Sequence, residues 1–202
     1  MFFYLACFGN ACVASVDEKA KDFAEDFVQK HNGRRCLEQF RDLNEEARKY
    51  NKRLGMGDAF LPDINKNRSV EPDFDVKIFI NDEINKFYSD DRFHNALGYA
   101  DYNDGRSDVI AVAGYNKDGQ IMGMAGASND SDTMWQIGID VVPEFRNRGV
   151  ATALVSIITS EILKKNIVPF YGTAWSHTAS KNVAISSGYK PAWVELGARD
   201  IK

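Results

Sequence analysis

The sequence predicts a mixed α/β fold, in which a large α/β unit follows a smaller N-terminal α/β extension. The most informative pattern is an apolar stretch at 137–143 that runs through a short basic turn directly into a helical pattern at 152–163. Segments typical of strands alternate with helical segments from residue 75 onward, and two apolar helix stripes follow an apolar strand near the N-terminus. With 202 residues, the chain is long enough to bury a core in one domain and an extension.

The N-terminal part is predicted to form one strand followed by two helices. Residues 1–8 are apolar, lack a basic start and are too short to span a membrane, so we expect a buried strand. Residues 15–18 fit a capping box at the start of the first helix. The apolar stripes are Ala20, Phe23, Ala24, Phe27 and Val28 in the first helix, and Cys36, Phe40, Leu43, Ala47 and Tyr50 in the second.

Glycine and proline mark the predicted boundary between the two parts. We expect Gly55 and Gly57 to end the helical region, and the polar segment 61–75, which contains two prolines, to form a boundary loop. The predicted domains are therefore residues 1–70, the N-terminal α/β extension, and residues 73–202, the main α/β unit. We expect the extension to act as a substrate lid, a dimer contact or structural support.

The main unit is predicted to combine strands and helices in a mixed sheet. A hairpin turn at 117–119 is expected to join two antiparallel strands. The predicted strands lie at 75–80, 108–115, 120–128, 134–142, 168–174 and from 189 onward, and the predicted helices lie at 83–88, 150–164 and 178–187.

Composition and charge exclude several classes of function. The net charge is −4 and there is no long basic run, so we expect no nucleic-acid partner. Three cysteines without metal-ligand spacing indicate a reducing cytoplasm, no bound metal and thiols that pack as small core residues. We therefore expect a cytoplasmic protein without a membrane partner.

The basic turn at 146–151 has the character of an anion site. A turn between a strand and a helix leaves backbone N–H groups unpaired at the helix start, where the helix dipole is positive. Arg146 and Arg148 flank these groups, although the dipole disfavours arginine at a helix N-terminus. A bound anion explains them better than a plain connection does, so the turn is predicted to hold a phosphate or pyrophosphate.

Two blocks in the same order carry a resemblance to a known family. The pattern Arg-x-x-Gly-x-Ala, after a strand that ends in Val-Val-Pro-Glu-Phe, resembles the coenzyme A pyrophosphate loop of the GNAT superfamily of N-acetyltransferases. The block 175–189 resembles that family's last helix with its following Gly-aromatic pair and strand. The resemblance covers roughly residues 73–202 and implies a GNAT-like fold for them. The run 175–196 is also similar to a subgroup that includes antibiotic-resistance acetyltransferases.

The resemblance implies acetyl-CoA as co-substrate and no metal. In the family, the pantetheine arm pairs with the backbone of the strand before the pyrophosphate loop, as an added strand does. A backbone N–H near Val141 is expected to face the thioester oxygen and stabilise its developing charge. The residues implied to contact the coenzyme are Ile139, Val141, Val142, Arg146, Asn147, Arg148, Gly149, Val150, Ala151, Thr152, His177, Ser180 and Asn182.

The catalytic candidates are Asp140, Tyr171 and His177. An amine arrives protonated, and Asp140 is the carboxylate on the strand beside the predicted thioester, so it is either the base or a polar residue at a strand end. The neutral imidazole of His177 is a second candidate base, or a capping or coenzyme-contacting group. Many family members protonate the leaving thiolate with a tyrosine four residues before the Gly-aromatic pair. Ala184 stands there in this chain, and Tyr171 is the expected substitute.

We therefore expect a cytoplasmic acetyl-CoA-dependent N-acetyltransferase that transfers acetyl directly to a primary amine of a small molecule. The alternatives are a protein or peptide N-acetyltransferase and a non-catalytic acyl-CoA-binding sensor domain. Glu195 on the last strand is expected either to bind a cationic substrate or to be an exposed acid. A homodimer is an open alternative for the assembly.

Overall fold

A computed structural model of the chain describes residues 2–31, 36–66, 71–98 and 105–201. Short 3-10 helices lie at Asn81–Phe87, Asp91–Phe93 and Pro143–Phe145, among others. The α-helices are α1 Lys21–His31, α2 Phe40–Arg48, α3 Val150–Leu163 and α4 Thr178–Ser186. The strands are β1 Phe3–Phe8, β2 Ala11–Val16, β3 Lys52–Pro62, β4 Asp75–Ile80, β5 Asp108–Tyr115, β6 Ile121–Ser128, β7 Met134–Val141, β8 Val168–Ala174 and β9 Tyr189–Asp200.

The chain forms two compact units whose segments alternate along the sequence. The first unit contains Met1–Ala59, Thr173–His177 and Pro191–Lys202, and the second contains Phe60–Gly172 and Thr178–Lys190. Strands β3, β8 and β9 contribute residues to both units. The C-terminal strand therefore groups with the N-terminal segment, whereas the division into 1–70 and 73–202 stays a prediction about which segment can fold alone.

In the first unit, β1 lies between β2 and β9 and pairs with both in antiparallel fashion. The apolar stripes of α1 and α2 pack on one face of these strands, as their helical spacing predicts. The thiols of Cys7 and Cys12, opposite each other in the hairpin, pack against this core with their sulfur atoms 3.2 Å apart. The fully enclosed members of this core are Phe3, Leu5, Ala24, Phe27, Leu43 and Leu196.

Two predictions for this region are wrong. The segment 15–18 is not a capping box, because its first residues end β2 and Asp17 caps a short 3-10 turn by accepting the N–H of Lys19 at 3.1 Å. Gly55 and Gly57 do not end the region but lie inside β3, a strand of 11 residues that reaches Pro62. The predicted boundary loop includes residues 67–70, which lie outside the described residues. The side chains of Cys36 and Leu37, near the start of the second predicted helix, also lie outside them.

In the second unit, the strands follow the order β8-β7-β6-β5-β4, with β7 and β8 parallel and the other neighbours antiparallel. Helix α3 packs on one face, where Leu154, Val155 and Ile158 are fully enclosed. The other face is covered by Ile84, Phe87 and neighbours from the 3-10 helices. The predicted strands and helices from residue 75 onward are confirmed within two residues, except that 83–88 belongs to a 3-10 helix.

Candidate functional site

Strands β7 and β8 part halfway along their length. They are paired in parallel only over residues 134–137 and 168–171. Beyond that point β7 continues to Val141 with β6 as its partner, so its edge on the β8 side carries no ladder among the described residues. We call the unpaired side of the last four residues of β7 the gap between β7 and β8; it adjoins the turn that leads into α3.

The backbone groups of two residues face this gap. Val142 donates its N–H to Met122 O at 2.9 Å, which is on the β6 side. Since backbone groups alternate along an antiparallel strand, those of Ile139 and Val141 point the other way, toward the gap. The N–H of Val142 is engaged by β6, so the predicted contact of Val142 with the coenzyme would have to use its other groups.

The turn before α3 presents its N–H groups to the outside. Gly149 caps the helix with φ 78°, and Asn147 has φ 59°, so both adopt the left-handed conformation that glycine and asparagine tolerate. The first helical hydrogen bond runs from Ala153 N to Gly149 O at 3.0 Å. The N–H groups of residues 150–152 therefore precede the helical ladder and have no helical carbonyl to bind.

Open space lies beside Gly149, at the start of α3. A Cβ atom placed on Gly149 would meet no atom within 4 Å. Arg146 and Arg148 are exposed on either side of the turn. Arg146 donates its Nε to Val141 O at 3.2 Å, and the guanidinium of Arg148 lies 5.7 Å from the centre of the Phe145 ring. This arrangement of helix N-terminus, flanking arginines and free space fits a phosphate or pyrophosphate group.

Tyr171 is buried against the start of α4. Its side chain is 1% exposed, and its hydroxyl lies 2.8 Å from Ser180 Oγ, which is half-buried. Burial raises the pKa of the Tyr171 phenol; the hydrogen bond with Ser180 opposes this shift and the charge of Asp140 adds to it. Ala184 is fully buried in the α3 core, so the position that holds the tyrosine in many family members provides no hydroxyl.

The carboxylate of Asp140 holds a turn on the sheet. Its Oδ2 accepts the backbone N–H groups of Asn95 and Ala96 at 2.7 and 2.9 Å, and its Oδ1 accepts Nδ2 of Asn95 at 2.7 Å. A carboxylate offers about four acceptor positions, so roughly one remains, on Oδ1. Asp140 is therefore first a positioning residue, with limited capacity to accept a further proton.

Two glycines let this turn lie directly on the sheet. Gly126 and Gly138 are paired across β6 and β7. A Cβ atom on Gly138 would lie 1.9 Å from Asn95 O, and one on Gly126 would lie 2.1 Å from Ala96 O. Sequence reasoning missed this contact, although glycine inside a strand often marks the close approach of another backbone.

The predicted site residues do not all belong to one unit. Asp140, Tyr171, Ser180 and the turn before α3 lie in the second unit, where the charge of Asp140 acts on Tyr171. His177 lies in the first unit and is exposed, with its backbone N–H bound to Ala174 O at 2.9 Å. Asn182, on α4 in the second unit, is exposed as well.

A separate hollow of about 500 Å³ lies near the start of β7. Its walls include Arg106, Asp130 and Trp135. Two of these lining residues, Arg106 and Asp130, form an ion pair of 3.1 Å. None of the site residues predicted from the sequence lines this hollow, so it is distinct from the gap beside β7.

No cluster of three or more histidine, cysteine, aspartate or glutamate side chains in the described part of the chain is arranged to hold a metal ion. Among the helices that the structure describes, none has the length and apolar character of a membrane span.

Comparisons with known proteins bear on the family and the fold. The sequence profile described as GNAT acetyltransferase matches residues 7–192. A search of curated proteins gave no match. The profile match covers most of the chain and identifies its family: the chain belongs to the GNAT acetyltransferases. Acetyl transfer is the reaction of this family, and its members use acetyl-CoA.

Solved structures share the fold at low sequence identity. A GCN5-related N-acetyltransferase-like protein from Streptococcus suis 89/1591 is 16% identical with a TM-score of 0.57, covering 96% of this chain and 83% of its own. A conserved protein of unknown function from Staphylococcus epidermidis ATCC 12228 has the same identity and TM-score, with coverages of 93% and 83%. A GNAT-family acetyltransferase from Colwellia psychrerythraea is 13% identical with a TM-score of 0.52; 73% of this chain matches 56% of that longer one.

Proposed function

We propose that this protein is a cytoplasmic N-acetyltransferase that transfers the acetyl group of acetyl-CoA directly to a primary amine of a small molecule, without a metal. The observation that carries the proposal is the gap beside residues 138–141, next to the N–H groups that precede the α3 ladder. One part of this surface suits amide groups and the other suits phosphate, in the order in which they occur along coenzyme A.

The chain's own groups account for coenzyme binding. Ile139 and Val141 present backbone donors and acceptors in the manner of a sheet edge, which an extended amide-containing arm can join as a further strand. The N–H groups of residues 150–152 and the positive end of the α3 dipole suit the pyrophosphate. Acetyl-CoA, when bound, supplies an activated thioester carbonyl. The N–H of Val141 faces the gap and can donate to an oxygen that gains negative charge.

Proton transfer is assigned to residues of the second unit. A simple alkylamine has a pKa of about 10 and must lose a proton before it attacks a carbonyl. The remaining acceptor position on Asp140 Oδ1 can take that proton, directly or through a water molecule. The hydroxyl pair of Tyr171 and Ser180 can supply a proton to the departing thiolate, with Ser180 as the more accessible member.

A non-catalytic acyl-CoA sensor is the second candidate. It is favoured by one observation, which is that both proton-transfer candidates are already engaged. Asp140 accepts three hydrogen bonds, and Tyr171 is 1% exposed. Such a protein would bind acetyl-CoA with no turnover.

The test is a thiol-release assay with acetyl-CoA over a panel of small amines that includes aminoglycosides, polyamines and amino acids. We expect amine-dependent release of coenzyme A by the parent protein. Calorimetric titration with acetyl-CoA runs in parallel, so that binding and turnover are measured separately. Binding without release for every amine supports the sensor, and the absence of binding contradicts both candidates.

A further inference from the structure

A carboxylate in the first unit lies on the sheet face opposite the helices. Phe3, Leu5 and Leu196 are buried in the core that α1 and α2 cover. Because side chains alternate along a strand, the neighbouring Tyr4 on β1 and Glu195 on β9 point to the other face. They are diagonal neighbours there, since Tyr4 pairs with Gly197 and Ala6 pairs with Glu195.

Three aromatic side chains are linked in series to this carboxylate. The hydroxyl of Tyr4 donates a short hydrogen bond to Glu195 Oε2, and the indole of Trp193 donates to the same hydroxyl. The ring of Phe8 lies 5.6 Å from that of Trp193, measured between centroids, and Phe8 is 46% exposed. Burial and the neighbouring Glu195 raise the pKa of Tyr4, so its hydroxyl remains a donor across the neutral range. Rings and carboxylate thus form one connected group.

Glycine makes room for this group on the neighbouring strands. A Cβ atom on Gly57 of β3 would lie 2.9 Å from Glu195 Oε1, so any larger residue there would displace the carboxylate. A Cβ atom on Gly197 would lie 3.7 Å from the Tyr4 ring. Gly57, which the sequence predicted to end the helical region, therefore leaves the space that the Glu195 carboxylate occupies.

Within the described part of the chain, the charge of Glu195 has no ion-pair partner. Its hydrogen-bond partner is Tyr4. Partly buried carboxylates are usually paired, because removing a charge from water is costly. Aromatic faces around such a carboxylate attract cations through their quadrupoles, and they bind alkyl groups as well.

We propose that the Glu195 cluster, formed by Tyr4, Phe8, Gly57, Trp193 and Glu195, binds the ammonium group of a small organic cation with apolar substituents. Glu195 Oε1 supplies the opposite charge, and the rings of Trp193 and Phe8 contact the substituents. The proposal goes beyond acetyl transfer and does not depend on it. A quaternary ammonium ion, which has no N–H to acetylate, is expected to bind as well.

The test is calorimetric titration of the full chain with benzyltrimethylammonium, with benzyl alcohol as the neutral probe of similar aromatic character. Loss of the charge in Glu195→Gln is expected to raise Kd for the cation at least about fivefold, and Trp193→Leu is expected to do the same. Glu25→Gln removes the same charge from an exposed site on α1 and should leave Kd unchanged.

Three outcomes would overturn the proposal. One is tighter or equal binding of benzyl alcohol to the parent protein. Another is an unchanged Kd for the cation in Glu195→Gln, and the third is an equal loss in Glu25→Gln, which would assign the effect to net charge. Glu195→Gln keeps the shape of the side chain, and a cooperative thermal transition in each variant verifies that the first unit has folded. The acetyl-transfer proposal is not affected by any of these results.

Discussion

Asn95 binds Asp140 through two different groups, its backbone N–H at 2.7 Å and its side-chain Nδ2 at 2.7 Å. The two contacts fix the end of a 3-10 turn on the face of β7, one residue before the strand's end. The carboxylate is thereby held rigidly next to the gap between β7 and β8. Asp140, which its place in the sequence suggested as a base, therefore also positions this turn. The role as a base and the positioning role can be separated by experiment.

The variants Asp140→Asn and Asn95→Ala separate the role of Asp140 as a base from its role in positioning the turn. Both variants weaken the turn, and a lost hydrogen bond to a charged group costs about 1.5–3 kcal/mol of unfolding free energy. Only Asp140→Asn removes a proton acceptor, so kcat should fall by about 10²–10⁴ and the acidic limb of the pH–rate profile should disappear. Asn95→Ala should keep that limb with a smaller loss in kcat. If the limb survives in Asp140→Asn, the residue only positions the turn.

Gly138→Ala should destabilise the second unit strongly. The added methyl group would lie 1.9 Å from Asn95 O, which is a backbone atom that cannot rotate away. Overpacking of this kind typically costs about 1–3 kcal/mol, and urea unfolding measures the loss. Gly55→Ala is the matched control, because its nearest atom, in the flexible Arg199 side chain, is 3.7 Å away. Equal stability of the two variants would mean that the turn does not lie on Gly138.

The regular elements of the second unit could be predicted from the sequence because their patterns are long and uninterrupted. The apolar run of β7, the turn at 146–151 and the helical pattern of α3 follow one another without a gap, and this order specified the anion-binding turn. By contrast, strand β3 was not predicted, because Gly55 and Gly57 suggested the end of a helical region. The strand requires glycine at position 57, where the Glu195 carboxylate occupies the space that a Cβ atom would need.

The surroundings of the catalytic candidates could not be predicted in the same way. The turn at Asn95 is short and has no periodicity of its own, and it is held by Asp140, which is 45 residues away in the chain. The burial of Tyr171 likewise depends on Ser180 and on the core beneath α3. Contacts of this kind are set by tertiary packing, which local sequence patterns do not encode.

Gly149→Glu should abolish acetyl-CoA binding. The substitution places a negative charge in the open space before α3, where the pyrophosphate is expected. Gly149→Ala separates the effect of charge from that of backbone strain. An alanine or a glutamate at this position must adopt the same left-handed conformation at φ 78°, which costs about 1–2 kcal/mol. We expect Gly149→Ala to retain most of the affinity measured by calorimetry. Unchanged affinity in a folded Gly149→Glu protein would remove this turn from the coenzyme site.

Tyr171→Phe should lower kcat and also change the response to alkaline pH. The phenol has a raised pKa, so the stability linked to its neutral form is fully present below the ordinary tyrosine pKa of about 10. This stability is lost as pH rises from there through the raised value. Tyr171→Phe should therefore unfold less steeply above pH 10 than the parent, as followed by circular dichroism.

Ser180→Ala is the companion variant for catalysis. It removes the hydroxyl that Tyr171 contacts at 2.8 Å and leaves the buried ring in place. If the pair delivers a proton to the thiolate, both variants should lose about 10²-fold or more in kcat with little change in acetyl-CoA affinity. Turnover equal to that of the parent in both variants would mean that the thiolate leaves without their help.

A fragment of residues 73–202 should fail to form a stable, soluble protein. It keeps β9 but lacks β1, which pairs with β9 from Tyr4–Gly197 to Cys7–Val194. Leu196, which has no exposed surface in the full chain, would lose its contacts with Phe3 and Leu5. The fragment would also expose the unpaired edge of β9, and such edges promote aggregation.

The matched control is the full chain with a protease site inserted after Asn65, in an exposed turn next to Ile64, which is 83% exposed. Cleavage there cuts the chain but keeps both pieces, so the nicked protein should stay soluble and melt cooperatively. Expression of the fragment alone should give aggregates by size-exclusion chromatography. If the fragment is instead soluble, melts cooperatively and binds acetyl-CoA like the full chain, residues 1–70 are dispensable for folding. The predicted division at 70–73 would then mark an autonomous domain.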